Sequence, residues 1–387
     1  MQPFLFTTTH SILQEPGGAR RLGPLCQERG ARRVLIVTDA GIHRLGLLQD
    51  ALNSLSNAGI ATEIFQDVEA DPSDRTVLRA TEMAKGDRTD LVIGFGGGSS
   101  MDVAKLVAFL ASPNCHQSLS QIYGVDQARG HRLPLILVPT TAGTGSEVTP
   151  IAIVTTGETT KAGVVSPVLL PDLALLDAEL TLGLPPHVTA ATGIDAMVHA
   201  IEAYTSKLKK NPVSDMLAKE ALRLLSGNLL NAVQNGQDLE ARSNMLLGAT
   251  LAGQAFANAP VAAVHALAYP LGGHFHVPHG LSNSLVLPHV LEFNAEVAAP
   301  LYAELAPIIL GKPCTESSVQ DSTRQLIQGL QELIAALGLP SRLRDLDIPA
   351  ECLEELAQDA MLQQRLLVNN PRPVTEQDAL AIYQAAY

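Results

Sequence analysis

Two patterns of hydrophobic positions divide the chain. In the first half, short runs rich in β-branched residues alternate with segments of helical periodicity, which indicates repeated strand–helix units. The predicted strands are residues 34–38, 61–65, 91–95 and 133–138, and the predicted helices among them are residues 47–57, 76–83 and 101–110. This alternation is typical of a mostly parallel sheet flanked by helices.

The pattern changes near residue 182. Beyond it the strand signals nearly vanish, and Ala- and Leu-rich segments with helical periodicity take over, for example at residues 213–225 and 322–337. A glycine and two prolines within residues 182–186 accompany the change. We therefore predict an α/β domain at residues 1–182 and an all-helical domain at residues 183–387.

Composition narrows the classes of function. Hydrophobic residues make up 46% of the 387 and charged residues 17%, which is typical of a globular protein. The net charge of -13 and the 4% of aromatic residues argue against a nucleic-acid partner. The start of the chain lacks the pattern of a signal peptide, and no apolar run is long enough to span a bilayer, so we expect a cytoplasmic protein without a membrane partner. The four cysteines form no CxxC pair, so neither a thiolate zinc site nor a disulfide framework is indicated.

Three consecutive glycines, Gly96, Gly97 and Gly98, lie between a predicted strand and a predicted helix. Glycine lets the backbone come close to a pyrophosphate, and the free N–H groups and dipole at a helix start attract its charge. The segment does not match the GxGxxG pattern of the standard dinucleotide-binding motif, and a tight turn without a ligand is an equally good explanation of the glycines alone.

A second polar loop, at residues 138–149, follows another predicted strand. Its hydroxyl groups can donate to phosphate and ribose oxygens, although a Ser/Thr-rich turn is the alternative. Two such loops at the ends of neighbouring strands favour a nucleotide site, because ligands of open α/β sheets bind at the carboxyl ends of strands. Asp39 ends the first strand of the alternating region, where a carboxylate accepts hydrogen bonds from ribose hydroxyls and favours NAD over NADP. A helix N-cap is the alternative role for Asp39.

The second half contains residues of metal-ligand type. Asp195 and His199 have the i, i+4 spacing that places both side chains on one face of a predicted helix, although an ordinary Asp–His pair has the same spacing. Residues 264–280 hold four of the 11 histidines, including His265 and His279, in what the glycines and prolines predict to be a broken loop. One carboxylate and three imidazoles suit a divalent first-row ion, and iron and zinc both fit by residue type.

Taken together, these motifs resemble the iron-containing, or group III, alcohol dehydrogenase family over almost the whole chain. They occur in the family's order and spacing, and they are Gly96-Gly-Gly-Ser-Ser-Met-Asp102, Pro139-Thr-Thr-Ala-Gly-Thr-Gly-Ser-Glu147, Asp195-xxx-His199, His265-x13-His279-Gly280 and Asn370-Pro-Arg372.

The resemblance implies an N-terminal α/β dinucleotide-binding domain and an all-helical, metal-binding C-terminal domain, as in dehydroquinate-synthase-like proteins, with the active site in the cleft between them. The implied ligands of Fe²⁺, with Zn²⁺ or another divalent metal as alternatives, are Asp195, His199, His265 and His279. The implied NAD contacts are Asp39, Asp71, Gly97, Gly98, Ser99, Asp102, Thr140, Thr141, Thr144, Thr149 and Lys161. Members of the family are usually homodimers or larger homo-oligomers.

Two positions depart from the family's pattern. Many members carry a histidine four residues after the first ligand of the histidine-rich loop, where this chain has Tyr269. If that histidine relays protons, then Tyr269, His274 or His276 must take its place. Asp71 stands where the family often has an asparagine, and a second carboxylate near the ribose should reinforce the preference for NAD.

We therefore predict an oxidoreductase, an iron-dependent, NAD-linked alcohol dehydrogenase that interconverts a small alcohol and its aldehyde or ketone. The expected chemistry is Lewis-acid activation of the alcohol and hydride transfer to the nicotinamide. The alternatives are a hydroxy-acid, diol or glycerol-type dehydrogenase of the same fold, a dehydroquinate-synthase-like lyase, and a nucleotide-sensing regulatory homologue without turnover.

Overall fold

The chain forms two compact units. The computed structural model describes residues 3–157, 160–314 and 318–387. The first unit, here called the sheet unit, comprises Thr7–Thr141 and Gly145–Leu182. The second, here called the helical unit, comprises Gly183–Tyr387, Ala142–Thr144 and the described part of Met1–Phe6.

The sheet unit is built on a six-stranded sheet in the order β1-β9-β6-β4-β2-β3. Every neighbouring pair in this sheet is parallel, which confirms the predicted parallel sheet and places β4 and β6 side by side. A smaller sheet, β5-β8-β7, contains an antiparallel hairpin that the hydrophobic pattern did not predict. The strands are β1 (Ile12–Gln14), β2 (Arg33–Val37), β3 (Ala61–Phe65), β4 (Leu91–Gly96), β5 (Gly124–Val125), β6 (Leu135–Pro139), β7 (Ile151–Thr156), β8 (Thr160–Val165) and β9 (Leu173–Leu176).

Helices cover both faces of the large sheet. In β2, Val34 and Ile36 pack into one hydrophobic core, whereas Leu35 and Val37 pack into another, because successive side chains of a strand point to opposite faces. Strands buried on both faces read as continuous apolar runs, which is why the pattern predicted β2, β4 and β6, although it missed β1 and the equally buried β9. The helices of this unit are α1 (Leu22–Glu28), α2 (Ala40–Arg44), α3 (Gln49–Asn57), α4 (Asp74–Gly86) and α5 (Gly98–Leu110).

The helical unit has no strand among its described residues, as predicted. Its central helix is α6, in which every residue from Gly193 to Thr205 is buried. A helix buried on all sides must be surrounded by other elements, and α7, α8 and α10 pack against it. The helices are α6 (Pro186–Thr205), α7 (Pro212–Gln234), α8 (Leu239–Asn258), α9 (Ala263–Phe275), α10 (His279–Leu310), α11 (Val319–Ala336), α12 (Leu353–Ala360), α13 (Gln364–Leu367) and α14 (Glu376–Ala386).

The prediction of a broken loop at residues 264–280 is wrong. Most of this segment is α9, which contains Pro270, and only a short turn at residues 276–278 separates it from α10. A proline inside a helix removes one backbone hydrogen bond. Burial of Leu267 and Leu271 on the same helix offsets that loss, since tertiary packing routinely overrides intrinsic propensity.

None of the helices in the described ranges combines the length and apolar character needed to cross a bilayer.

The Asn370-Pro-Arg372 segment is tied to α10 by a pair of buried amides. Asn370 Nδ2 donates to Asn294 Oδ1 at 2.7 Å, and Asn294 Nδ2 donates to Asn370 Oδ1 at 3.0 Å. Arg372 adds a hydrogen bond to the carbonyl oxygen of Phe293, with its guanidinium over that ring. This motif therefore holds the C-terminal segment against the longest helix.

Replacing Asn370 by alanine should destabilise the helical unit. The substitution leaves the buried amide of Asn294 without its partner, which costs about 1–3 kcal/mol. The free energy of unfolding, measured with urea by far-UV circular dichroism, should fall by that amount. The exposed Asn235→Ala, at the end of α7, should change it by less than about 0.5 kcal/mol. Equal effects of the two substitutions would show that the amide pair contributes nothing.

Candidate metal centre and nucleotide-binding loops

Two of the predicted metal ligands lie on α6. This helix begins with Pro186, whose fixed backbone angle suits the first turn. Asp195 and His199 follow at i and i+4, so they share one face of the helix, and both side chains are buried.

The other two ligands come from α9 and α10. His265 is buried in the first turn of α9, and His279 is the first residue of α10. Gly280 allows the start of α10 to pack directly on α6, since a Cβ there would lie 2.3 Å from the carbonyl oxygen of Ala191. This close approach brings His279 to the face of α6 that carries Asp195.

The four side chains converge. One donor atom from each of Asp195, His199, His265 and His279 lies within 4.8 Å of the others. The three imidazole Nε2 atoms lie 3.9, 3.8 and 3.6 Å from Asp195 Oδ1, in the order His199, His265 and His279. The rings of His199 and His265 are stacked, with 4.7 Å between their centroids. The structure therefore brings the predicted tetrad together inside the helical unit.

The electrostatics of the cluster suit a cation. Burial lowers the pKa of His199 to about 3, so its imidazole is neutral at pH 7 and keeps a lone pair for a ligand bond. Burial opposes ionisation of Asp195, but the surrounding imidazoles and the amide of Asn283 outweigh it and lower the pKa of the carboxyl. A carboxylate with neutral imidazoles is the ionisation state in which these groups bind a divalent metal.

Sequence reasoning missed two residues beside the tetrad. Glu202, buried on α6, accepts hydrogen bonds from His265 Nδ1 at 2.6 Å and from the Val264 N–H at 2.7 Å. Asn283, on α10, donates to Asp195 Oδ1 at 2.6 Å, and its own side-chain oxygen is buried without a hydrogen-bond partner. Helical spacing could have found both, because Glu202 follows Asp195 at i+7 and Asn283 follows His279 at i+4.

The four converging side chains fit a bound divalent metal. Oxygen and nitrogen donors in this ratio suit iron or zinc. The hydrogen bond from His265 Nδ1 to Glu202 leaves the Nε2 lone pair directed at the other donors, which is the arrangement typical of metal-ligating histidines.

The candidates for a proton relay are placed differently. The ring of Tyr269 lies 5.9 Å from the ring of His279, centroid to centroid, which puts it beside the tetrad. His274 Nε2 instead pairs with a carboxylate oxygen of Asp359 at 2.6 Å. His276, at the end of α9, has a left-handed backbone conformation and an exposed side chain. Tyr269 is therefore the candidate that contacts a predicted ligand.

The glycine cluster in the sheet unit forms the start of α5. Gly97 is the N-cap, and Gly98 and Ser99 are the first helical residues, whose N–H groups have no partner within the helix. A Cβ at Gly97 would lie 3.8 Å from the Thr141 hydroxyl, and the Thr140 N–H donates to the Gly96 carbonyl at 3.0 Å. The two predicted loops thus lie together at the carboxyl ends of the neighbouring strands β4 and β6, as predicted.

Asp39 is a helix N-cap. Its Oδ1 accepts the backbone N–H groups of Gly41 and Ile42 at 2.8 and 3.0 Å, so it is the N-cap of α2. Its Oδ2 is near the glycine cluster, since a Cβ at Gly96 would lie 3.5 Å from it. The cap fixes the carboxylate beside the loop, and one oxygen remains for another partner.

Asp102 and Thr149 belong to a buried network around Lys105. The Lys105 ammonium group contacts Asp102 Oδ1, the Ser146 hydroxyl, the Thr149 hydroxyl and the Ile151 carbonyl at 3.3, 2.7, 3.2 and 2.6 Å. Asp102 Oδ1 also accepts the Ser146 hydroxyl at 2.6 Å, and Oδ2 accepts a backbone N–H of β7 at 2.9 Å. These residues tie α5 to the second loop.

The remaining predicted contacts are in two places. Lys161, on β8, pairs with Asp71 at 2.5 Å and donates to the Thr155 hydroxyl at 3.1 Å. Asp71 has a left-handed backbone conformation, with φ 55°, and its side chain is largely exposed. Thr144 lies in the short Ala142–Thr144 segment of the helical unit, next to Gly143, which packs against Thr192 of α6.

Comparisons with known proteins cover nearly the whole chain. Residues 9–178 match the family model for iron-containing alcohol dehydrogenase, and residues 189–387 match the model for the C-terminal part of the Fe-containing alcohol dehydrogenase family. Long-chain-alcohol dehydrogenase 1 of Geobacillus thermodenitrificans is 42% identical over 372 residues, which are 96% of this chain and 93% of that protein.

Solved structures also match the whole chain. The crystal structure of a 1,3-propanediol oxidoreductase has a TM-score of 0.96 and 35% identity, with all of both chains covered. Sulfoacetaldehyde reductase from Bifidobacterium kashiwanohense, solved with NAD⁺, has a TM-score of 0.88 and 27% identity over 100% of this chain and 99% of that one. At the level of the family, these matches support the predicted iron and NAD.

The resemblance inferred from the motifs is confirmed: the chain belongs to the iron-containing alcohol dehydrogenase family and is an alcohol dehydrogenase of the oxidoreductase class.

Proposed function

We propose that this protein is an iron-dependent, NAD-linked dehydrogenase that interconverts a small alcohol and its aldehyde or ketone. The observation that carries the proposal is the convergence of one carboxylate and three imidazoles within 4.8 Å in the helical unit. We assign Asp195, His199, His265 and His279 as the ligands, held by residues 183–387, and assign cofactor binding to residues 1–182.

A divalent ion held by these ligands supplies Lewis-acid chemistry that lowers the pKa of an alcohol oxygen, and NAD supplies the hydride acceptor. The protein's contribution is to hold the donors in place before either group arrives. Asp195 contributes negative charge, and the neutral imidazole of His199, stacked on the ring of His265, contributes a nitrogen donor. Because these donor atoms are already in place, the protein needs little reorganisation when a metal ion binds.

The loops of the sheet unit are suited to NAD. The free N–H groups at Gly98 and Ser99, at the start of α5, attract a pyrophosphate, and Thr140 and Thr141 lie beside them. We propose that Asp39 Oδ2 accepts the ribose hydroxyls. For Asp102 and Thr149 we propose an indirect contribution through the network around Lys105. Further proposed NAD contacts are Gly97, Thr144, Lys161 and Asp71.

The relatives act on one type of reacting centre. Their names include a long-chain-alcohol dehydrogenase, a 1,3-propanediol oxidoreductase and a sulfoacetaldehyde reductase, which share an alcohol carbon or its aldehyde as the reacting centre. We propose a primary alcohol or diol as the substrate. The predicted homo-oligomer and the cytoplasmic location stay predictions.

Replacing His265 by alanine should abolish activity by loss of the metal. Metal analysis of anaerobically purified protein should give less than about a tenth of the wild-type iron content, and NAD reduction with a panel of alcohols should fall below detection. The matched control is His187→Ala, which replaces an exposed histidine at the start of α6. This variant should keep the wild-type iron content and the wild-type activity. Full metal content and full turnover in His265→Ala would overturn the ligand assignment.

Changing Asp39 should alter the choice of cofactor. Asp39→Gly and Asp39→Asn both remove the charge that repels a 2′-phosphate, and asparagine also keeps the N-cap of α2. The ratio of kcat/KM with NADP to kcat/KM with NAD should rise at least about tenfold in both variants, since removing one charge repulsion is worth about 1.4 kcal/mol or more. A ratio that stays at the wild-type value in both variants would show that Asp39 acts only as a helix cap.

Tyr269→Phe tests the proton relay. Loss of the hydroxyl should lower kcat for alcohol oxidation about a hundredfold and change its pH profile, with metal content unchanged, because general acid–base groups contribute factors of about that size. Tyr269→His should restore part of the rate. If Tyr269→Phe has the wild-type rate and pH profile while His276→Ala does not, the relay runs through His276 instead.

A further inference from the structure

Glu202 is not a member of the predicted ligand set, yet it is buried beside that set and contacts His265. Its side chain is 5% exposed, and the side chain of His265 that it contacts is 3% exposed. Each carboxylate oxygen has a separate donor: Oε2 binds His265 Nδ1 at 2.6 Å, and Oε1 binds the Val264 N–H at 2.7 Å. A buried carboxylate is stable only when its oxygens are hydrogen-bonded in this way.

The two donors belong to the first turn of α9. This helix begins at Ala263, and its N-cap residue, Ala262, has no side chain that could accept a hydrogen bond from the first turn. A carboxylate at a helix N-terminus satisfies free N–H groups and interacts favourably with the helix dipole. Glu202, on α6, therefore caps α9 from outside and fixes its start against the helix that carries Asp195 and His199.

The same carboxylate fixes the proton on the imidazole of His265. A carboxylate only accepts hydrogen bonds, so His265 Nδ1 must carry a proton, and in the neutral ring Nε2 then keeps its lone pair, with the Asn283 amide nitrogen 3.4 Å away. That Nε2 is the atom 3.8 Å from Asp195 Oδ1, within the donor cluster. The tautomer needed for a ligand bond is thus set before any metal is present.

Building on the proposed metal centre, we infer that Glu202 is a positioning residue for the metal: it selects the Nδ1-protonated tautomer of His265 and holds α9 in register with α6. Its contribution is separate from that of the four ligands, because it would act on a bound metal only through His265. Loss of such an outer partner typically weakens metal binding about tenfold to a hundredfold.

Glu202→Gln makes the inference testable because the amide has the same shape but only one acceptor oxygen. If that oxygen accepts the Val264 N–H, the amide NH₂ group meets His265 Nδ1, and the imidazole proton must move to Nε2, where it blocks ligand binding. If the oxygen accepts His265 instead, the NH₂ group opposes the Val264 N–H, and α9 loses its cap. Both arrangements weaken the site, and Glu202→Asp, which keeps two acceptor oxygens, should recover part of the loss.

The experiment measures the Kd of the metal-free protein for Zn²⁺ by competition with a chromophoric chelator, without substrate or NAD. Glu202→Gln should raise Kd about tenfold to a hundredfold, and Glu202→Asp should raise it less. The matched control is Glu304→Gln on α10, which removes a carboxylate hydrogen-bonded to Tyr204 in the same unit, away from the ligands, and should leave Kd unchanged.

A second measurement distinguishes positioning from a general structural role. The ¹⁵N chemical shifts of the His265 ring in the metal-free wild type should report a protonated Nδ1 and an unprotonated Nε2. Glu202→Gln should shift the ring towards the other tautomer if its oxygen accepts the Val264 N–H; if its oxygen accepts His265, the ring shifts stay and the Zn²⁺ affinity alone falls. Equal Zn²⁺ affinity and equal ring shifts in wild type and Glu202→Gln would overturn the inference. If wild type itself fails to bind Zn²⁺ or Fe²⁺, the proposed metal centre fails instead, so the two failures are separable.

Discussion

The helical unit depends on the close packing of α6 with its neighbours. This helix contributes Asp195 and His199 to a region that water scarcely reaches, and burial of a carboxylate is costly unless donors or a cation surround it. Three separate helices must therefore bring their polar groups to one point. Gly280 makes this possible, because any larger residue would hold α10 away from the backbone of α6. The metal chemistry follows from the packing of apolar helices around a polar centre.

A comparable constraint acts in the sheet unit, where backbone rather than side chains must come close to a ligand. At Gly96 the backbone has φ 150°, a conformation that favours glycine, and a Cβ would lie 2.8 Å from the hydroxyl oxygen of Ser100. The chain can then turn directly from β4 into α5 and present its first N–H groups beside the Thr140 loop. In the helical unit the absent side chain of Gly280 allows α10 to touch α6, and in the sheet unit the absent side chain of Gly96 allows the sharp turn from β4 into α5.

Much of the fold could be predicted from the sequence because both periodicities are strong. The predicted strand at residues 91–95 agrees with β4, Leu91–Gly96, in which every residue is buried, since apolar runs buried on both faces leave little ambiguity. The hairpin of β7 and β8 could not be predicted, because alternation along it is weak and its pairing depends on tertiary neighbours. The same holds for α9: Pro270 indicates a break when read locally, and only burial against other helices keeps the segment helical.

The convergence of Asp195, His199, His265 and His279 could be predicted because spacing along helices and the family's motifs agree on it, whereas helical spacing is the one signal for the groups that support it. Glu202 reads as an ordinary glutamate in an apolar helix until α9 is placed against it. Asp102 is the opposite case, a residue of a predicted binding motif whose contacts are structural. It lies in the glycine motif, yet both of its oxygens are bound by protein groups, through the buried Lys105 and Ser146 and a backbone N–H of β7. Burial lowers the pKa of Lys105 despite the nearby Asp102, which makes this ion pair a costly way to connect α5 with the second loop. A sequence motif therefore contains two kinds of residue: those available to a ligand and those that hold the binding loop in place. The two kinds can be told apart only from their packing in the folded chain.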